Sequence, residues 1–246
     1  MALKYLALHL VAGLAALTFA GAGLAQQKQR IQFAKDRQEA SIKGAVRGDV
    51  YIDYTVRAAA GQTLNVAMKA TNGSNYFNVT PPGSNTAMFV GSTSGDTFTR
   101  TLPSDGDYTI RVYLMRNAGR RHEDSKFDLN VGVTGKPRAA LPASADATIP
   151  GTPYHASTQV PCKGSASDAI AQCDSFVIRR GRNATATVEV RMKDGYTIRR
   201  ILFVEGAARG SDSPSQMGSE RKGDATIVTF EGGETFTIPD MLLTGG

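Results

Sequence analysis

Three arginines and an asparagine fall within six residues, at Arg116, Asn117, Arg120 and Arg121. Guanidinium groups present forked donors that match carboxylates, and such pairs are strong where water is excluded. The residue sets of catalysis are thin by comparison. Beyond the N-terminal segment only His122 and His155 could act as an imidazole base. Gly91–Gly95 has the outline of a nucleophile elbow, but Thr93 stands at its centre and no helix is expected after it. Walker-type, HExxH, CxxC and calcium-loop patterns are missing. The carboxylates are scattered, and Asp212 with Ser211 and Ser213 reads as part of a solvated polar loop. Arg47–Gly48–Asp49 is too short a match to mean much, and Asp49 reads as the start of a strand. Binding rather than catalysis is expected, with no cofactor and no metal.

The arginine cluster lies between two segments of strict alternation. Tyr108, Ile110, Val112 and Leu114 precede it, and Phe127, Leu129, Val131 and Val133 follow. Val50, Ile52, Tyr54 and Val56 alternate with Tyr51, Asp53, Thr55 and Arg57 in the same way, as do Leu64, Val66 and Met68 with their neighbours. Period-two patterning means one buried and one wet face, the mark of antiparallel sheets. Turn residues at Ala60–Gly61, Asn72–Gly73, Pro81–Gly83, Ser94–Gly95 and Asp105–Gly106 punctuate the strands. Residues 26–135 are therefore expected to form an antiparallel, jelly-roll-like β-sandwich of about eight strands. Gln27–Ala40 is the one stretch after the leader with any helical character, and it is polar and expected to be loose.

Residues 136–153 are rich in Ala, Pro and Thr and read as a semi-extended linker. Residues 154–246 read as a small β-rich domain, with strands expected at Ser175–Arg179, Ala184–Met192, Thr197–Glu205, Ala225–Glu231 and Glu234–Ile238. Cys162 and Cys173 are the only cysteines. In an oxidising compartment such a pair closes a disulfide, and two thiolates without further ligands cannot complete a tetrahedral metal site. The whole chain is expected to be all-β.

Residues 1–25 carry one cation, Lys4, then an apolar run ending in Ala20, Ala22, Gly23 and Ala25, the pattern of a cleaved signal peptide. The expected location is periplasmic or secreted, without a membrane anchor. Formal charge is +6, or +5 once Lys4 is lost, which favours acidic partners. Export makes nucleic acid an unsuitable one.

The segment 43–133 resembles the periplasmic inhibitors of goose-type (g-type) lysozyme. The likeness runs through Lys43–Gly44, Tyr51–Val56, Ala60–Gly61–Gln62, Leu102–Pro103, Gly106–Asp107–Tyr108 and Arg111–Val112 to the pattern Arg116, Asn117, Arg120, Arg121. The resemblance implies an eight-stranded sandwich whose end loop plugs the acidic glycan cleft of a g-type lysozyme, protecting the cell's peptidoglycan. It also implies contacts from Arg116, Asn117, Arg120 and Arg121 and from an early-strand tyrosine, Tyr51 or Tyr54. Cell-wall glycan is a second candidate ligand. The stretch Leu102–Tyr108 also resembles pre-peptidase C-terminal sandwiches, which implies the alternative of an envelope or polymer-binding accessory module. The C-terminal part resembles a recurring, uncharacterised unit of secreted bacterial proteins.

Overall fold

The computed structural model describes residues 27–245; the leader expected over 1–25 lies outside them. The chain is all-β, with three helical turns among the described residues, α1 (Gly91–Ser94), α2 (Arg116–Arg120) and α3 (Asp240–Thr244). The first unit is a sandwich of two layers. One holds β1 (Gln27–Arg30), β3 (Ile52–Ala58), β8 (Gly106–Leu114), β5 (Asn75–Thr80) and β6 (Phe89–Val90), in that order. The other holds β2 (Glu39–Arg47), β9 (Asp124–Thr134), β4 (Thr63–Ala70) and β7 (Thr97–Thr101). The pairings are antiparallel except for β1, which runs parallel to β3.

Alternation fixes which side chains meet between the layers. Tyr108, Ile110 and Val112 of β8 face Leu129 and Val131 of β9 across a core completed by Leu64, Val66, Phe77 and Val79. Each large apolar side chain so buried contributes about 1.5–3 kcal/mol. The Tyr108 phenol donates to the Ser104 carbonyl at 2.8 Å, and burial pushes its pKa up to about 12. Gln27–Ala40 is not helical. Polar β1 needs no alternation because its main chain pairs along the edge of β3, while Ile31 and Phe33 reach the core.

The second unit is one eight-stranded antiparallel sheet. Its strands are β10 (Ala156–Lys163), β11 (Ala171–Arg179), β12 (Ala186–Arg191), β13 (Ile198–Val204), β14 (Ala207–Ser211), β15 (Met217–Lys222), β16 (Ala225–Phe230) and β17 (Thr235–Pro239). They lie in the order β14-β13-β12-β11-β10-β17-β16-β15, and β14 approaches β15, so the sheet almost closes into a barrel. A C-terminal turn of helix, Asp240–Thr244, puts Leu242 and Leu243 into the barrel core. Cys162 and Cys173 form a disulfide across β10 and β11, with Cα atoms 5.9 Å apart.

The two units touch extensively. Arg180, its side chain only 1% exposed, donates to Asp105 of the sandwich at 2.8 Å and to the Arg138 carbonyl at 2.6 Å. Its Nε–H donates to Thr187 Oγ1 at 2.8 Å, and that hydroxyl donates on to the Pro103 carbonyl at 2.6 Å. Arg100 donates to the carbonyls of Ser213 and Pro214, and Arg200 to that of Pro82. Residues 136–153, expected to be a semi-extended linker rather than a packed element, bond to both sides: the Arg138 N–H to the Ala60 carbonyl at 2.7 Å, and the Leu141 N–H to that of Arg179 at 2.8 Å. Asp212, expected in a solvated loop, is 3% exposed. It accepts the Arg200 N–H at 2.8 Å and lies 3.3 Å from the Arg200 guanidinium and 3.9 Å from that of Arg199.

Candidate partner-binding site

All the sandwich residues that bond to the second unit lie at the end where β8 begins. β8 then runs nine residues to Leu114, roughly 30 Å at the rise of a strand. The arginine cluster therefore sits at the opposite, open end. It is a short helix, α2 (Arg116–Arg120), not an irregular loop.

Close packing on a neighbouring turn holds α2 in place. A Cβ added to Gly119 would lie 2.4 Å from Asp49 Oδ1 and 3.2 Å from the Gly48 carbonyl, so α2 packs closely on the β2–β3 turn and a larger residue would make the Asp49 side chain move. Asp49 is thus in the turn beneath α2 and does not start a strand. The Gly48 N–H donates to the Glu123 carbonyl at 3.0 Å, and Gly48 itself takes the left-handed φ of 58°. On the other flank the Glu123 carboxylate accepts from Asn72 at 2.8 Å and from Arg121 at 2.7 Å. The Asn72 bond, then the Arg121 bond, holds its pKa below the ordinary value.

Arg116, Asn117, Arg120 and Arg121 are all exposed. Arg121 is tied to Glu123, and the Asn117 side-chain oxygen accepts the Ala118 N–H at 2.8 Å. Asp124 pairs instead with Arg47, and Asp128 with Lys43. Among the described residues no carboxylate pairs with Arg116 or Arg120. Two guanidinium groups therefore project from a braced support with their forks directed to solvent.

The two candidate tyrosines are three positions apart, so on a strand they face opposite ways. Tyr54 is 2% exposed, edge-on to Phe127 with ring centroids 6.3 Å apart, and burial raises its pKa. Tyr51 is half-buried on the outer face, and the Arg111 guanidinium lies 3.9 Å from its ring centroid. Arg111 is fixed by two bonds to Asp53, at 2.7 and 2.8 Å, and the hydrogen bond to Asp53 is the main reason its pKa is raised. The supporting contacts of Asp49, Asn72, Gly119 and the Arg111–Asp53 pair were not read from sequence. Of the two described histidines, His155 is buried, with Nδ1 accepting the Arg179 N–H at 3.1 Å and Nε2 placed 3.0 Å from the Leu141 carbonyl. That environment gives it a structural role.

Fold and site together define a β-sandwich that presents a basic helical turn at its free end. Over 106 residues the chain is 25% identical to the inhibitor of g-type lysozyme of Escherichia coli (strain K12), covering 42% of this chain and 78% of that one. The crystal structure of a periplasmic inhibitor of g-type lysozyme from Aeromonas hydrophila is 31% identical, with 44% of this chain and 96% of that chain covered at a TM-score of 0.40. The pre-peptidase C-terminal domain of a Bacillus anthracis collagenase matches at 17% identity and a TM-score of 0.33, over 44% of this chain and 96% of that one. No family model matches the chain. The sandwich is thus a segment that resembles the inhibitors of g-type lysozyme.

Proposed function

We propose that this protein is a periplasmic or secreted inhibitor of g-type lysozyme, a binding protein without a catalytic step of its own. The observation that carries the reading is the pair Arg116 and Arg120, exposed and without a carboxylate partner on a turn that Gly119 and Glu123 brace. Glycoside hydrolysis needs acidic side chains beside the scissile bond, so the cleft to be blocked is acidic. Arg116 and Arg120 supply forked donors to those carboxylates, Asn117 adds amide donors, and Arg121 flanks them while tied to Glu123. Tyr51 contributes from the residue just before β3. Sugar is excluded because the cleft is filled and its charge is neutralised.

The test is a lytic assay with g-type lysozyme, using hen-type lysozyme as control. Arg116→Ala and Arg120→Ala should each weaken inhibition by roughly thirty-fold or more, since truncating one partner of a buried charge pair costs about 2–5 kcal/mol. Melting temperature should stay nearly constant, because exposed substitutions change stability by less than about 0.5 kcal/mol. Unchanged inhibition in both variants, or no inhibition by the wild type at micromolar concentration, overturns the proposal.

A further inference from the structure

We infer that the partner-facing surface continues from α2 down the outer face of the five-stranded layer, with Tyr113 and Tyr76 joining Tyr51 as contact residues for a protein; this rests on the inhibitor reading above. In the register of the layer Ile52 pairs with Val112, which sets Tyr51 opposite Tyr113, and Tyr113 pairs with Tyr76. Tyr51, the residue just before β3, Tyr113 of β8 and Tyr76 of β5 thus form one row across the layer. With strands about 4.8 Å apart the row is roughly 10 Å wide. Tyr113 is three residues before Arg116, so the row adjoins the arginine turn. All three side chains are half-exposed, unlike Tyr54 and Tyr108, which alternation sends into the core.

The next row of the same face holds the rings in place. It consists of Asp53, Arg111 and Asn78, aligned by the same register. Tyr113 donates its hydroxyl to Asn78 Oδ1 at 3.2 Å, and that oxygen also receives the Gly91 N–H at 3.3 Å. Arg111, forked onto Asp53, lies over Tyr51. Tyrosine and arginine dominate the energetics of protein contacts because they offer large area with little entropy to lose, and prior ordering lowers that loss further. Sugar rings also stack on aromatic faces. Here the Arg111 guanidinium at 3.9 Å covers a face of Tyr51 that a sugar would need, and the row runs directly into a cationic turn. Those two facts favour a protein rim bordering an acidic cleft.

The test uses the full exported chain with Tyr76→Thr, Tyr113→Thr and Tyr113→Phe. Threonine keeps strand propensity, so the fold is retained while the ring is lost. Each Thr variant should weaken inhibition of g-type lysozyme about tenfold or more, the level of a contact hot spot, with little change in melting temperature. Tyr113→Phe should keep most of the inhibition. If the Thr variants inhibit like wild type while Arg116→Ala does not, the row is no contact surface and the inhibitor reading stands. Inhibition that falls only in proportion to the folded fraction assigns the row to sheet stability and overturns the inference. Loss of retention on insoluble peptidoglycan with inhibition intact makes the row a glycan platform instead. If the wild type itself does not inhibit, both readings fall together.

Discussion

Arg180→Ala is the most informative perturbation of the interface between the two units. The guanidinium is all but fully buried and donates to Asp105, to the Arg138 carbonyl and to Thr187 Oγ1. Removing it leaves the Arg138 carbonyl without that donor and breaks the Thr187 relay to Pro103. Breaking a buried ion pair by deleting one partner costs about 3–5 kcal/mol. Asp105 is 41% exposed on its side chain and also accepts the Ala60 N–H, so it can rehydrate. The lower end, about 3 kcal/mol, applies; that is somewhat over a hundredfold in the docking equilibrium. Calorimetry should show one cooperative transition for the wild type and two for the variant, each belonging to one unit. Arg182→Ala is the control, since Arg182 is exposed and reaches only the Ala145 carbonyl. Two separate transitions already in the wild type, or an Arg180→Ala trace that matches it, would refute the claim that this arginine couples the units.

Further outcomes can be checked on the same preparation. Gly119→Ala should weaken inhibition while leaving the sandwich folded, because its Cβ crowds the Gly48 carbonyl at 3.2 Å and makes the Asp49 side chain move, shifting α2 on its support; near-UV circular dichroism together with the lytic assay separates the two effects. Burial pushes the Asp212 carboxyl from 3.8 up to about 6. Between those values the folded chain holds a proton that the unfolded chain has released, so this group's contribution to stability is greatest at low pH and falls by roughly 3 kcal/mol as pH rises through 6. Denaturant titrations from pH 4 to 7 should show that fall in the wild type relative to Asp212→Asn, and parallel curves would contradict it. Reduction of Cys162–Cys173 opens a link spanning eleven positions and should cost about 3 kcal/mol in the chain-entropy model, read as a lower melting temperature. Arg111→Ala should weaken inhibition moderately by freeing Tyr51, whereas Arg57→Ala, on an exposed pair with Asp107, should not.

Strands with strong period-two apolar patterning, such as β8 and β9, could be read directly from sequence, and the polar strands β1 and β15 could not. β8 and β9 carry a buried residue at nearly every second position. β15 reads MGSERK and is largely exposed, so its place comes from main-chain pairing with β16 alone. β1 escaped for the same reason. Asp212 was misread because its burial is a tertiary fact: Arg199 and Arg200 of β13 surround it, and the sandwich's Arg100 binds the carbonyls just after it. The arginine cluster was visible as composition, but the contact of Gly119 with Asp49 joins segments 70 residues apart, and no local pattern encodes it. That Tyr54 is buried and Tyr51 is not was legible from the start, since Ile52, Tyr54 and Val56 share one face and Ile52 and Val56 belong inside.

The edges of the two sheets carry a further consequence. β7 ends the four-stranded layer, β14 ends the eight-stranded sheet, and the two lie against each other. Gly210 comes so close that an added Cβ would stand 2.5 Å from the Thr101 carbonyl. An open strand edge is a template on which another chain can pair, and here each unit shields the other's. Docking is in that sense a safeguard against pairing between chains. A chain cut between the units would bare β7 on one fragment and β14 on the other. Each fragment could keep its core and its fold, yet its failure would be self-association through a newly opened edge.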